Sequence, residues 1–239
     1  MKKILSCMRR AMQEYEMVNE NETIAVGISG GKDSIMLLHG LNLLKRFYPV
    51  AYDLQAICVD IGLEGMDFRG LEDYCCSIHV PLHIVKTNIA DIVFKERKEN
   101  NPCSLCSKMK KGALHNKMLE LGIHKLAFGH HADDAVETLF LSMLYEGRVH
   151  TFKPLTYLDR KQITLIRPMI YVWEREITYQ KNKLDLPVVP KNCPADGNTK
   201  REEIKQLIKT IKKQIPKSEE RLLHAIQNRD NFNLWFDKP

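Results

Sequence analysis

The sequence has no long apolar run. Nowhere does it approach the ~18 consecutive uncharged apolar residues that a membrane-spanning helix needs, so no membrane association is expected. Its opening, Met1-Lys2-Lys3-Ile4-Leu5-Ser6-Cys7-Met8-Arg9-Arg10, is basic but has no apolar stretch behind it, and is not expected to act as a secretory signal. Internal repeats and low-complexity tracts are absent too. Seven cysteines, an odd number spread over 239 residues, do not suit a disulfide scaffold. Thiols kept reduced in the cytoplasm, some of them for metal binding or catalysis, are the better reading. Nor is there a large charge excess: 36 Lys and Arg against 30 Asp and Glu leave +6, compatible with a polyanionic partner without requiring one. What is present is an ordinary globular composition, 44% apolar and 28% charged. The length suits roughly one or two domains.

Strand-like and helix-like segments alternate along the first two thirds. Thr23–Ser29 is a β-branched run ending at Gly30-Gly31, and Ser34–Phe47 follows with Leu37, Leu38, Leu41 and Leu44 at helical spacing. Leu54–Asp60, Leu82–Val85 and Lys125–Gly129 repeat the strand pattern, with helical segments after each, the first around Arg69–His79. This alternation predicts βαβ units and a mainly parallel, doubly wound α/β sheet covered on both faces. From Ile163 the pattern weakens: Ile163–Pro168 reads as a last strand and Trp173–Leu184 as a helix. A loop punctuated by Pro187, Pro190 and Pro194 follows, then helices over Lys200–Gln214 and Ser218–Phe236. The expected organisation is an N-terminal helical segment (1–22), a nucleotide-binding α/β domain (23–170) and a helical C-terminal region (171–239). Between Lys200 and Arg221 eight basic and four acidic residues give a local +4, which suits a solvated helix face as well as a nucleic-acid surface.

Ser29-Gly30-Gly31-Lys32-Asp33-Ser34 stands where the first strand meets the first helix of this unit. Consecutive glycines let backbone N–H groups turn toward an anion. The helix N-terminus adds partial positive charge, and Ser29, Lys32 and Ser34 add donors. It is not a Walker A loop, because Val26 stands where that motif needs glycine, and it is not a dinucleotide GxGxxG.

Pro102-Cys103-Ser104-Leu105-Cys106 opens a helical stretch rich in lysine. Thiols there are expected to have lowered pKa values and to be partly thiolate. A lone CxxC is open to three readings: half of a metal site, a redox pair, or chance. The absence of a second CxxC excludes a four-cysteine zinc ribbon. Cys193 lies far downstream, while Cys7, Cys58, Cys75 and Cys76 read as structural. Asp133 and Asp134, at a helix start after Gly129-His130-His131, have an innocent role open to them as caps.

The Ser29–Ser34 hexapeptide resembles the PP-loop of the ATP-pyrophosphatase superfamily. That likeness implies the adenine nucleotide alpha hydrolase-like fold and α–β cleavage of ATP, with Asp33 holding Mg2+. The order of PP-loop, Pro-Cys-Ser-Leu-Cys, Lys110, then Gly129-His130-His131-Ala132-Asp133-Asp134-Ala135-Val136-Glu137-Thr138, then a lone cysteine, is similar to the TtcA/TtuA family of tRNA 2-thiolation enzymes. Matching segments run from about Thr23 to Arg201.

By this resemblance Cys103, Cys106 and Cys193 ligate three irons of a 4Fe-4S cluster, the fourth being open to carry sulfur. It also implies catalytic roles for Lys110, Asp33 and one of Asp133 and Asp134. Nucleotide contacts would come from Ile28, Ser29, Gly30, Gly31, Lys32, Ser34, Val59, Asp60, Gly129 and His130. Archaeal-type members carry zinc fingers at both ends and this sequence shows none, which points toward the TtcA side. Bacterial cytidine enzymes commonly have a second cysteine in the downstream loop, where Lys191-Asn192 stands here; that extra cysteine is not an expected ligand.

The implied reaction adenylates the C2 oxygen of a tRNA pyrimidine and replaces it with sulfur, from a cysteine desulfurase or free sulfide. The favoured target is an anticodon-loop base, cytidine 32, because the C2 edge must be unstacked to be reached. Basic stretches at Lys95–Lys111 and Lys200–Arg221 would hold the RNA backbone. The same chemistry on uridine is an alternative, as is a non-catalytic ATP-binding iron–sulfur sensor of nucleic acid. Lysidine-type ligation would leave the cysteines without a role. The resemblance further implies a cytoplasmic homodimer, although no stretch reads as an interface.

Overall fold

The computed structural model describes residues 1–97, 102–189, 193 and 200–228. By their internal contacts these fall into two units. One is Met1–His131 with the described part of Lys153–Asp196; the other is Ala132–Phe152 with the described part of Gly197–Pro239. The sequence boundaries at 22/23 and 170/171 both lie inside the first unit.

The first unit is built on one six-stranded sheet in the order β3-β2-β1-β4-β6-β5. The strands are β1 (Glu22–Ile28), β2 (Tyr52–Asp60), β3 (Leu82–Lys86), β4 (Lys125–Ala127), β5 (Leu155–Leu158) and β6 (Ile163–Ile166). All neighbours pair in parallel except β5 and β6, which form an antiparallel edge. The parallel, doubly wound expectation is borne out. The sequence pattern did not find β5: four residues beside a Pro and a turn at Asp159–Lys161 are too short to show alternation.

Consecutive buried residues in the centre of β1 (Ile24, Ala25, Val26) are what a strand covered on both faces requires. On one face, Ala25, Ile57 and Leu126 pack against Leu114 and Met118 of α4 (Pro102–Glu120). Helix α2 (Lys32–Leu44) packs against β1, α1 (Lys2–Glu14) and α6 (Glu174–Leu184). The remaining helix here is α3 (Arg69–Ser77), and Asp91–Glu96 forms a π-helical turn. Helix α2 starts earlier than periodicity suggested, because Gly31 caps it and the loop residues Lys32 and Asp33 form its first turn.

Strand order reverses about β1, whose neighbours are β2 and β4. In open α/β sheets the ligand crevice lies at the carboxyl ends of strands at such a switch point. At the opposite end of the same pair, buried Lys125 donates to Glu22. Partial burial works to raise the Glu22 carboxyl, but Lys125 and Asn19 outweigh it and hold it below its ordinary value of 4.5. The stabilisation is therefore complete above the unfolded value and is lost as pH falls through the lowered one. Urea denaturation should show wild type losing more stability than Glu22→Gln between about pH 5 and about pH 3.

The second unit consists of α5 (Ala132–Glu146), α7 (Lys200–Gln214) and α8 (Ser218–Gln227). The last of these ends nine residues before the expected Phe236, and residues 229–236 lie outside those described. Buried Glu137 is held by Arg201 Nη1 at 3.2 Å and Lys205 Nζ at 3.8 Å. No helix among the described residues is long and apolar enough to cross a membrane.

Candidate functional site

The turn from β1 into α2 is tied by short polar contacts. Ser29 N–H donates to Ser34 Oγ at 3.1 Å, Gly31 N–H to Ser29 Oγ at 3.3 Å, and Ser34 Oγ to the Gly31 carbonyl at 2.9 Å. Gly30 has φ +77°, a left-handed backbone that glycine alone adopts without strain. A Cβ there would also meet Val189 Cβ at 2.8 Å, and Val189 N–H donates to the Gly30 carbonyl at 3.0 Å. Val189 thus lies directly on the phosphate loop.

Lys32 Nζ bonds Glu174 Oε1 at 2.7 Å and lies 3.2 Å from Asp33 Oδ1. Burial works to lower the Lys32 pKa, but Glu174 and Asp33 outweigh it and raise it. Asp33 Oδ1 is buried and accepts no hydrogen bond, with His131 Nε2 at 3.8 Å; a hard cation is the chemistry such an oxygen suits.

Gly129 allows the end of β4 to approach this helix start. A Cβ at Gly129 would lie 2.9 Å from Asp33 C and 3.1 Å from Ser34 N, both backbone atoms that cannot swing aside. Gly129→Ala should therefore push the first turn of α2 off its position. We expect about 10-fold or greater loss of ATP affinity by calorimetry, the equivalent of 1–3 kcal/mol of overpacking.

A cavity of about 450 Å3 opens beside the loop, lined by Ile28, Ser29, Val59, Lys110, His130 and Arg167 among others. Five of these six are residues nominated from sequence. Asp60 is not among the lining residues; its carboxylate accepts from Gly62 N–H at 2.9 Å. The ring of His130 stands edge-on to Phe128 at 5.7 Å. Burial lowers the pKa of Arg167 to about 10, which leaves it cationic at neutral pH.

Of the three nominated cysteines, Cys106 is within electrostatic reach of the other two. Cys106 is buried among Ile61, Ile89, Ala90 and Val93, whereas Cys103 is exposed and Cys193 half-buried. Burial pushes the Cys106 thiol up; Lys110 pulls it back, and both Cys193 and Cys103 push it further up. The expected lowering at the helix start is therefore corrected for Cys106, whose apolar packing outweighs the lysine beside it.

No three His, Cys, Asp or Glu side chains among the described residues converge on one metal ion. A polynuclear cluster differs, because each cysteine binds a different iron and the sulfurs need not meet at one point. An all-thiol donor set is the chemistry it requires.

In the second unit, Asp133 and Asp134 occupy the first turn of α5. Asp134 Oδ1 is paired with Arg201 Nη1 at 3.0 Å, an anchor between α5 and α7 that sequence spacing could not show.

A model of the PP-loop domain matches residues 4–211. The chain belongs to the PP-loop family. ATP binding through a PP-loop goes with that family. A relative from Pelobacter propionicus, named tRNA-cytidine(32) 2-sulfurtransferase, is 37% identical over 224 residues, covering 92% of this chain and 82% of the relative. One of the same name from Geobacter sulfurreducens is 36% identical over 230 residues, covering 95% and 90%. Both bear out the resemblance to the TtcA/TtuA family. Among solved structures, the U34-tRNA thiolase NcsA from Methanococcus maripaludis with its 4Fe-4S cluster is similar at a TM-score of 0.75. It has 24% identity over 93% of this chain and 76% of that one, a likeness that concerns the fold alone.

Residues at this site that escaped the sequence reading include Arg167, Glu174 and Val189. Arg167 directly follows the carboxyl end of β6, which is the signal that could have found it. Glu174 and Val189 reach the PP-loop from more than a hundred residues away, and nothing in their local pattern marks them.

Proposed function

We propose that this protein is an ATP-dependent tRNA 2-sulfurtransferase that converts cytidine 32 to 2-thiocytidine. The observation that carries the proposal is the presence, in one folded unit, of a PP-loop, an adjacent cavity and a Cys106 thiol within electrostatic reach of both Cys103 and Cys193. Relatives named for that reaction match over more than nine tenths of the chain.

The PP-loop backbone and the N-terminus of α2 hold the β- and γ-phosphates of ATP, and Asp33 Oδ1 would hold Mg2+, which when bound offsets phosphate charge. The C2 oxygen of the base attacks the α-phosphorus. The new O–P bond forms as the bond to the β-phosphate oxygen breaks, and pyrophosphate leaves with the electron pair. Hydrosulfide then attacks C2, and AMP leaves with the former base oxygen; no electrons are gained or lost overall. Cys103, Cys106 and Cys193 would hold a 4Fe-4S cluster, which when bound supplies a Lewis-acidic iron with a free position for sulfur. Lys110, between Cys106 and the cavity, balances negative charge where the two halves of the reaction meet. The basic faces at Lys95–Lys111 and Lys200–Arg221 hold the RNA backbone.

Nucleoside mass spectrometry of tRNA from cells with and without the gene tests this. Loss of 2-thiocytidine, restored by the wild-type gene, is expected. A missing 2-thiouridine instead would keep the mechanism and move the target. Unchanged thionucleosides, together with no RNA-stimulated pyrophosphate release, would favour a sensor.

A further inference from the structure

Four parallel strands converge on the cavity beside the PP-loop. β1 lines it with Ile28 and its neighbour Ser29, β2 with Val59, β4 through the following Phe128, and β6 through the following Arg167. Among the described residues lining it, every ionisable side chain is basic: Lys110, Lys111, His115, His130 and Arg167. A cleft whose charged groups are all of this sign suits an anion.

Arg167 differs from the two lysines in being fixed. It is only 8% exposed, and its Nη1 donates to the Lys153 carbonyl at 2.6 Å and approaches Thr156 Oγ1 at 3.4 Å. Its backbone N–H donates to the Pro154 carbonyl at 2.9 Å. The two side-chain contacts, to Lys153 just before β5 and to Thr156 within it, aim the guanidinium. A planar, pre-positioned guanidinium fork matches phosphate oxygens better than a flexible ammonium does.

We propose that Arg167 binds the α-phosphate of the nucleotide, the phosphate that passes to the base oxygen and departs as AMP. The assignment rests on the sulfurtransferase reading above. With the β- and γ-phosphates on the loop, the α-phosphate faces the cavity at Ser29, which Arg167 also lines. During adenylation Arg167 offsets the charge gathering on the non-bridging oxygens. It keeps hold of the same phosphate when sulfur displaces AMP, so one cation serves both steps.

The test compares equilibrium binding of ATP, AMP and adenosine to the full chain, purified without oxygen, as wild type, Arg167→Met and Arg167→Lys. Arg167→Met should weaken ATP and AMP by about 10- to 100-fold, the range for a charge-assisted hydrogen bond, and leave adenosine within about twofold. Arg167→Lys should recover part of the loss. If Arg167→Met does not fold, Arg167→Lys with an unchanged melting temperature carries the same comparison, with a smaller loss for ATP and AMP only. Equal weakening of adenosine would mean a packing role and overturn the assignment. Unchanged ATP and AMP affinity would overturn it as well. Unchanged nucleotide binding, with the salt dependence of tRNA binding shallower by about one ion, would assign the guanidinium to an RNA phosphate instead. A wild type that fails to bind ATP would remove the proposed function itself, a result distinct from a variant that binds as well as wild type.

Discussion

A Cys193→Ala variant is expected to bring tRNA thiolation down to background, lose most of its iron, and still bind ATP within about twofold of wild type. The physical basis is the position of this thiol: it acts on Cys106 together with Cys103, yet lies four residues beyond the PP-loop contact. That contact is made by Val189, through its N–H and Cβ against Gly30, and truncating Cys193 leaves both in place. Iron content, the cluster absorption band and ATP calorimetry read the three effects separately. Full iron and full activity in Cys193→Ala would sink the three-cysteine ligand set. Loss of ATP binding along with iron would show that Val189 depends on the cluster to stay on the loop.

Asp33→Asn gives the complementary pattern. Its Oδ1 is buried at the start of α2 and accepts no hydrogen bond, while Lys32 lies at 3.2 Å. Replacing the carboxylate with an amide keeps the shape and removes the charge a divalent cation needs. RNA-stimulated pyrophosphate release should fall by about 100- to 1000-fold, the range for loss of one charge-stabilising group, with iron content unchanged. Loss of iron in this variant would mean that Asp33 supports the thiol arrangement and not the nucleotide. With Cys193→Ala, the two substitutions separate adenylation from sulfur delivery.

Much of the site was legible because its parts are local in the chain. Gly30-Gly31 needed no partner to be read as a phosphate loop, since the turn's conformation is a property of glycine itself, and Gly30 does sit at φ +77°. The alternation of strands and helices likewise follows from apolar periodicity, which each segment carries on its own. Cys103 and Cys106 stand out as a CxxC by spacing, which left metal, redox and chance readings open until the order of motifs was considered. Cys193 does not: a single loop cysteine acquires meaning only through the order of motifs around it.

The sequence by itself determined the α/β class, the phosphate loop and the kind of chemistry the chain can do. The tertiary structure alone decided what reaches that loop. β5 exists because β6 gives it an edge to pair with. Glu174 and Val189 meet the loop because α2 and the segment after β6 pack in the same unit. Arg167 becomes a fixed cation because Lys153 and Thr156, at and just before β5, accept from its guanidinium. The Cys106 thiol rises where helix position alone predicted a fall, because its surroundings are apolar. In each case the deciding quantity is burial or a contact between distant residues, and neither is carried by a local run of sequence.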